Sequence, residues 1–596
     1  MTQDPPPFLR SAVAPDELYD LYSTAEGPSG RLPLTARRLR DSSSGDVFGW
    51  TQNVAMGWSP RRLGAREFLL LSTKGGVRAP DGTPVALGYH TGHWEVGLLV
   101  EEAARAFSAA GTIPFAAYVS DPCDGRSNGT PAMFDSLPYR NDAAVVMRRL
   151  ARSLPTSSGV LGIASCDKGL PAMLMAVAGL GDLPGVIVPG GVTLLARGAE
   201  NTAEVQTLSS RFARGEISLE YASEMGCRAC GSAGGGCQFL GTAASAQVLA
   251  EALGLSLPHS ALSPSGTTIW RDLATRSAHA LRALAEAGRR TSDVLDDRSI
   301  RNALVVHAAF GGSTNMLLHL PAVAHAGGLT RPSVEDWAEV NGSVPRLVDA
   351  LPNGPRHFAT VQVFLAGGVP EVMLELERAG LLDTSAATVT GRTLADDLEW
   401  WAGSERRQRV RDRLAEVDGI DPADVIRSMD HALPATVTFV SGNLAPGGAV
   451  VKSTAIDPRH LDRDGHYRAE GRVRLFTRED DAIAAIKQRR VVPGDVLVLA
   501  GIGPAIGMPE TYQITAALKE ADPDGRIPLL TDGRFSGVST GPCIGHVSPE
   551  AWAGGPIGRL VDGDRVSIWL DTSGLRGTID VIGDGSFGPP AQCPAP

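Results

Sequence analysis

Short apolar runs alternate with helix-spaced apolar positions through much of the first two thirds of the chain. The runs PFAAYVSD (114–121), SGVLGIAS (158–165) and GVIVPGG (185–191) each end in Gly, Ser or Asp. Between them, NDAAVVMRRLARSL and LPAMLMAVAGL repeat apolar residues with the period of a helix. Strand, loop and helix in repetition predict a parallel sheet covered on both faces, with polar residues gathered at the carboxyl ends of the strands. Residues 243–253 and 272–289 predict amphipathic helices, and EWWAGSERRQRVRDRLAEV, within a charged stretch around 396–430, predicts a helical connector. Beyond about residue 432 the pattern changes to valine-rich strands: ATVTFVSG, RVRLFT, DVLVLAG, IPLLTDG, RVSIWL and GTIDVIG. The fold class is therefore α/β, a large N-terminal α/β/α domain followed by a smaller, mostly-β, barrel-like domain. The expected boundaries are an irregular Pro- and Gly-punctuated lead-in over 1–80, the α/β domain over 81–430 and the β-rich domain over 431–596. The closing GSFGPPAQCPAP has the composition of a disordered end.

Composition narrows the function classes. At 596 residues the chain exceeds what one small core requires, and 69 glycines favour turns and backbone-lined pockets over a long helical bundle. A formal charge of −11 argues against a nucleic-acid partner. The N-terminus lacks a basic start followed by an apolar core, and the most apolar stretch, 172–196, is broken by Gly, Pro and Asp, so neither a signal peptide nor a membrane span is expected. Seven cysteines in so long a chain make no disulfide framework; their uneven clustering fits metal or catalysis in a cytoplasmic protein.

Three segments each deliver a cysteine at a polar, Gly-rich turn: Cys123 in SDPCDGRSNGT, Cys166 in IASCDKGLPAM and Cys237 in GSAGGGCQFLGTA. Thiolates are soft ligands for iron–sulfur clusters or zinc. Asp124 and Asp167 directly follow two of them, and hard carboxylate oxygens beside soft sulfurs let two different metals lie side by side. Taken singly, each cysteine is more often a small buried hydrophobe. Cys227 and Cys230 form a CxxC, which alone suggests zinc or a redox pair, while Cys543 and Cys593 look incidental. A second constellation comprises Glu510 in GMPETYQ with Asp532, Arg534 and Ser536 in LLTDGRFSGVSTG. Ser536 is either a turn former or a base whose alkoxide is stabilised by Arg534 or a metal. Ser313, Thr314 and Asn315 in HAAFGGSTN, and Lys452 in SGNLAPGGAVVKST, are candidate substrate contacts in loops able to cradle an anion. His90, His93, His307 and His319 read more readily as structural than as ligands.

Jointly these segments resemble the dihydroxyacid/6-phosphogluconate dehydratase family. SDPCDG, SCDKGLPAMLMA, CQFLGTAASAQVLAEALGLSLPHSAL, AAFGGSTNMLLHLPA, GNLAPGGAVVKSTAID, GMPETYQIT and LLTDGRFSGVSTGPCIGHVSPEA follow the family's order over roughly residues 20 to 580. LPLTARRLRDSSSGDVFGWTQNVAMGWSP, SDPCDGRSNGTPAMFDSLPYRNDAAVVMRRL and VPRLVDALPNGP look like the bacterial branch that dehydrates D-xylonate. The resemblance implies that Cys123, Cys166 and Cys237 hold an iron–sulfur cluster. Three ligands suit a four-iron (4Fe-4S) cluster with one open iron, and a two-iron (2Fe-2S) cluster stays open as the alternative. Where dihydroxyacid-type members carry their first cluster cysteine, this chain has YHTGH. The resemblance further implies Mg²⁺ on Asp124, Asp167, Glu510 and Lys168 (a carbamate in some members), with Ser536 as the base. The implied reaction is dehydration of a sugar acid to a 2-keto-3-deoxy acid by a cytoplasmic homodimer or homotetramer. Alternatives are 6-phosphogluconate, arabinonate or 2,3-dihydroxy-3-methylbutanoate as substrate and, more distantly, a zinc or redox module on Cys227, Cys230 and Cys237. Relatives of the xylonate branch are expected to continue past GPPAQCPAP.

Overall fold

The computed structural model describes residues 7–9, 13–537, 539, 541–583 and 587; Cys593 and most of the Gly- and Pro-rich end lie outside these. The chain divides into two compact units, one of Met1–Arg66 with Gly111–Ile113, the other of Glu67–Ala110 with Pro114–Pro596. In the first unit, Thr35 and Ser43 cap the helices Ala36–Asp41 and Ser44–Ala55 through their side chains. Trp50 is buried there beneath the Arg38 guanidinium, 3.9 Å from the ring centroid.

Everything proposed for chemistry lies in the second unit. Its strands are, in chain order, β1 (Glu67–Ser72), β2 (Val77–Arg78), β3 (Pro84–Ala86), β4 (Ile113–Tyr118), β5 (Ser157–Ala164), β6 (Gly185–Pro189), β7 (Val437–Ser441), β8 (Ala449–Lys452), β9 (His466–Phe476), β10 (Asp495–Leu499), β11 (Leu529–Thr531), β12 (Cys543–Gly545), β13 (Arg565–Asp571) and β14 (Arg576–Ile582). A four-stranded sheet runs β4-β1-β5-β6, with β5 parallel to both β1 and β6, and β2 and β3 form a separate antiparallel pair. The helices Gly92–Ala109 and Thr268–Glu286 pack together and against this sheet, as do Met133–Arg152 and Gly169–Ala178. The predicted parallel sheet is thus present, but β1 corrects the expected lead-in. Its six residues EFLLLS are all buried, as a strand covered on both faces must be, and helices precede it where irregular chain was expected. The charged stretch after residue 396 is helical yet packed rather than a free connector: Trp401 and Leu414 are fully buried, and Arg407 pairs with Glu371 at 2.7 Å.

The valine-rich third closes into an eight-stranded barrel, β10-β11-β12-β8-β7-β14-β13-β9. Two-residue periodicity is visible on β10. Val496 and Val498 join the barrel core with Ile568, Leu570 and Ile579, whereas Leu497 and Leu499 join the core of the α/β part. The barrel and the sheet region belong to one compact unit. No helix among the described residues is long and apolar enough to cross a membrane.

Candidate active site

The sheet aims its reactive residues through the loops that follow its strands, where parallel α/β sheets collect ligands. After β4 the chain reaches Cys123, which starts the short helix Asp124–Ser127; after β5 it reaches Cys166 and Asp167, with Lys168 starting the helix Gly169–Ala178. Cys237 arrives on a loop laid along the segment after β6: the Gly236 N–H donates to Gly191 O at 2.7 Å, and the Thr193 N–H to Gly236 O at 3.0 Å. Gly235 there has φ +74°, and a Cβ would stand 2.4 Å from the Val192 carbonyl carbon, so this approach requires glycine.

These loops meet at a cavity of about 640 Å³ whose wall includes Cys123, Asp124, Cys166, Asp167, Cys237, Glu510 and Ser536. The Cys123 and Cys166 thiols lie close enough to shift each other's ionisation, and Cys237 is near enough to feel the charge of Cys123. The Cys166 contact pulls the Cys123 thiol below its ordinary value, whereas the same contact, followed by burial, pushes Cys166 well up; burial pushes Cys237 up.

The carboxylates are held from behind. Asp124 accepts from Lys168 at 2.5 Å and from the Ser136 hydroxyl, and Arg534 stands 3.8 Å away. Burial opposes its ionisation, but Lys168 and Arg534 together hold its carboxyl below the ordinary carboxylate range. Asp167 accepts the Ala243 N–H at 2.9 Å, at the start of the helix Thr242–Ala252. Burial first, then the charge of Asp124, pushes Asp167 up to about 7. Glu510 accepts from Asn315 Nδ2 at 2.5 Å and from Arg534 Nη1 at 3.3 Å.

Ser536 lies on the wall, and its hydroxyl has no hydrogen-bond partner among the described residues. Arg534, expected to activate it, instead turns its fully buried guanidinium toward Glu510, Asp124 and the Met508 carbonyl, the last at 2.6 Å. It positions carboxylates and reaches Ser536 only through its field. Three further candidate groups lie behind the wall. Ser313, Thr314 and Asn315 do not form the wall: Ser313 Oγ lies 3.1 Å from Thr242 Oγ1, and Asn315 bonds Thr242 and Glu510, so this loop braces the wall. Lys452 is likewise off the wall and donates to the Gly537 carbonyl, holding the turn that carries Ser536. Asp532 is structural, accepting the Gly501, Ile502 and Ala551 N–H groups at 3.0–3.1 Å. Of the CxxC pair, both are exposed, and Cys230 but not Cys227 reaches the wall.

The sequence reading missed a buried trio behind Cys166. His90, Asp121 and Cys166 bring their ligand atoms within 4.8 Å of one another, and His93 Nε2 lies 2.5 Å from Asp121 Oδ1. The Gly92 and Tyr89 N–H groups donate to Nδ1 of His90 and His93, which leaves Nε2–H of both rings facing Asp121. The trio is thus built of donors around a carboxylate. The HxxH spacing in YHTGH was its sequence signal. His307 and His319 are structural as expected: burial holds both neutral, His307 down at about 4.

Known proteins show the same organisation. Residues 85–397 match the N-terminal and 424–581 the C-terminal domain of dihydroxy-acid/6-phosphogluconate dehydratases. The chain is 56% identical over 573 residues to the D-xylonate dehydratase YagF of Escherichia coli, and 53% over 576 to YjhG, also named a D-xylonate dehydratase; each match covers 95% of this chain and 88% of the relative. A dihydroxy-acid dehydratase of Nitratidesulfovibrio vulgaris is 35% identical over 82% of the chain and 85% of its own length. With both domains matched in order along one chain, the protein belongs to the dihydroxy-acid/6-phosphogluconate dehydratase family of hydro-lyases.

Proposed function

We propose that this dehydratase converts D-xylonate to 2-dehydro-3-deoxy-D-xylonate, using an iron–sulfur cluster on Cys123, Cys166 and Cys237 and Mg²⁺ on Asp124, Asp167, Glu510 and Lys168. The observation that carries this reading is the convergence of Cys123, Cys166 and Cys237 with Asp124, Asp167, Glu510 and Ser536 on a single cavity wall. The donor set fits both groups: sulfur for iron, oxygen for magnesium. Orphaned atoms fit as well. Arg534 Nη2 and His319 Nε2 are buried without partners among the described residues; His319 lies near enough to feel the charge of Lys168, and Lys168 and Arg534 both face Asp124. A carbamate on Lys168 would supply the acceptor they lack.

Bound together, the two metals would supply Lewis acidity at the carboxylate, the C2 hydroxyl and the departing C3 hydroxyl. The chain's own part is positional. The Ser136 hydroxyl and Arg534 hold Asp124, Asn315 and Arg534 hold Glu510, and the Ala243 N–H holds Asp167, so the oxygen donors keep their geometry between turnovers. Ser536, without a hydrogen-bond partner among the described residues, would lose its hydroxyl proton to solvent once a divalent cation lies beside it, and as the alkoxide takes the C2 proton. The enol left after loss of the C3 hydroxyl tautomerises to the keto acid. The test is anaerobic purification with iron, sulfide and magnesium quantification, followed by assay against D-xylonate, arabinonate, 6-phosphogluconate and 2,3-dihydroxy-3-methylbutanoate. Iron, sulfide and magnesium with a preference for D-xylonate are expected; zinc without iron and sulfide, or a preference for the branched acid, would overturn the reading.

A further inference from the structure

The cavity is larger than a reacting carboxylate and two hydroxyls need, and its wall near Cys123 is polar in a way the proposed chemistry does not use. Asn128 and Gln206 both form part of this wall. Asn128 Oδ1 is buried and has no hydrogen-bond partner among the described residues. A buried acceptor without a donor is expensive for a fold and marks a place where something else supplies the donor. Gln206 is fixed by its backbone, whose carbonyl accepts the Tyr512 hydroxyl at 3.2 Å, while its side-chain amide makes no bond among the described residues. That amide nitrogen lies 3.8 Å from where a Cβ on Gly125 would stand, as does Cys123 Sγ, so Gln206 overhangs the Cys123–Gly125 turn.

Register explains why Asn128 matters. It caps the helix Asp124–Ser127 and stands four residues after Asp124, on the same helical face and one turn further along. Asp124, Asn128 and Gln206 line the same cavity, so a substrate held at Asp124 has Asn128 and Gln206 within its surroundings. Trp94, Leu87 and Phe239 supply apolar surface elsewhere on the wall.

We propose that Asn128 and Gln206 read the hydroxyls beyond C3, Asn128 Oδ1 accepting from one and the Gln206 amide pairing with another, and so select a polyhydroxy acid over a branched aliphatic one. This rests on the sugar-acid reading above. A hydroxyl satisfies the orphan acceptor; a methyl group in its place leaves it unpaired, and sites built on such pairing discriminate strongly.

The experiment compares wild type, Asn128→Ala, Gln206→Ala and the double variant on D-xylonate and on its 4-deoxy and 5-deoxy analogues, with iron, magnesium and melting temperature measured for each. Because Asn128→Ala removes an orphan rather than a bond, metal content and melting temperature should hold. Each single variant should lose roughly 3- to 10-fold in kcat/KM on D-xylonate, the scale of one neutral hydrogen bond, and the loss should vanish on the analogue lacking the matching hydroxyl. Equal losses on all three substrates, or none on D-xylonate, would overturn the assignment. A wild-type enzyme inactive on all aldonic acids would instead sink the sugar-acid reading, and this inference with it.

Discussion

The cavity thiols carry their protons unequally, and that separates two kinds of variant at the residue scale. With Cys166 and Cys237 both pushed up, loading iron must drive protons off them, and only strong metal–sulfur bonding can do so. Cys166→Ser should therefore yield a colourless protein with less than a third of the wild-type iron, read by metal analysis and visible absorbance. Ser536→Ala removes a hydroxyl with no hydrogen-bond partner among the described residues, so iron, magnesium and melting temperature should persist while kcat falls by at least a thousandfold. Near-normal turnover in that variant would dismiss Ser536 as the base. Lys452 gives a third expectation. Burial, then the charge of Arg346, pushes its ammonium down to about 7, with Cys543 the other ionisable group facing it. The unfolded value is near 10.4, so between the two the unfolded chain binds the extra proton and stability rises with pH, by about 1.4 kcal/mol per unit. The melting temperature of the wild type minus that of Lys452→Met should accordingly increase from pH 7 to pH 10 and stay level from pH 5 to 6.5. A difference independent of pH would show that Lys452 is not buried as a strained cation.

Elements are joined at the site by polar groups rather than by apolar packing alone. The Asp532 carboxylate, just after β11, accepts backbone N–H groups from the loop after β10 and from Ala551, so one side chain ties three barrel loops together. Asp532→Ala strands three donors and should cost on the order of 3 kcal/mol, seen as a lower melting temperature; Asp532→Asn, which keeps acceptor capacity, should recover part of it. A melting temperature unchanged in the alanine variant would disprove the clamp. The same contrast explains what was legible in the sequence. Barrel strands such as β10 and β13 announced themselves through valine-rich runs, and the Cys-Asp pairs were legible because thiol and carboxylate are chain neighbours. β1 was missed although EFLLLS is an apolar run like those of β5 and β6, because the Pro- and Gly-punctuated chain around it was read as irregular. The true tasks of Asn315 and Asp532 were hidden because they depend on partners brought together only by folding: Asn315 meets Glu510 across 195 residues of chain. Arg534 was singled out beside Ser536, but local sequence could not show that its guanidinium turns toward Glu510 and Asp124.

At the scale of the whole molecule, the site joins the sheet region to the barrel with a charge imbalance. Asp124 and Asp167 come from the sheet side and Glu510 from the barrel side, and with Lys168 as an unmodified ammonium these three carboxylates face two cations, Lys168 and Arg534. One negative charge is in excess before any thiolate is counted, buried where solvent screens it poorly. A divalent ion placed as proposed reverses that excess and binds the folded chain but not the unfolded one, so it must stabilise the protein by mass action. Each tenfold rise in free Mg²⁺ above its dissociation constant is worth about 1.4 kcal/mol. Calorimetry at pH 8 and constant ionic strength should therefore show a melting temperature that climbs linearly with the logarithm of Mg²⁺ concentration, while added NaCl at matched ionic strength does not reproduce it. Asp124→Asn should flatten that line, because it removes both a ligand oxygen and the charge that Lys168 answers. Because the oxygen donors come from both halves of one compact unit, the sheet region and the barrel should shift together, as amide hydrogen exchange in β5 and β11 can report. A melting temperature indifferent to magnesium, or protection gained in one half alone, would mean that no cation bridges the two.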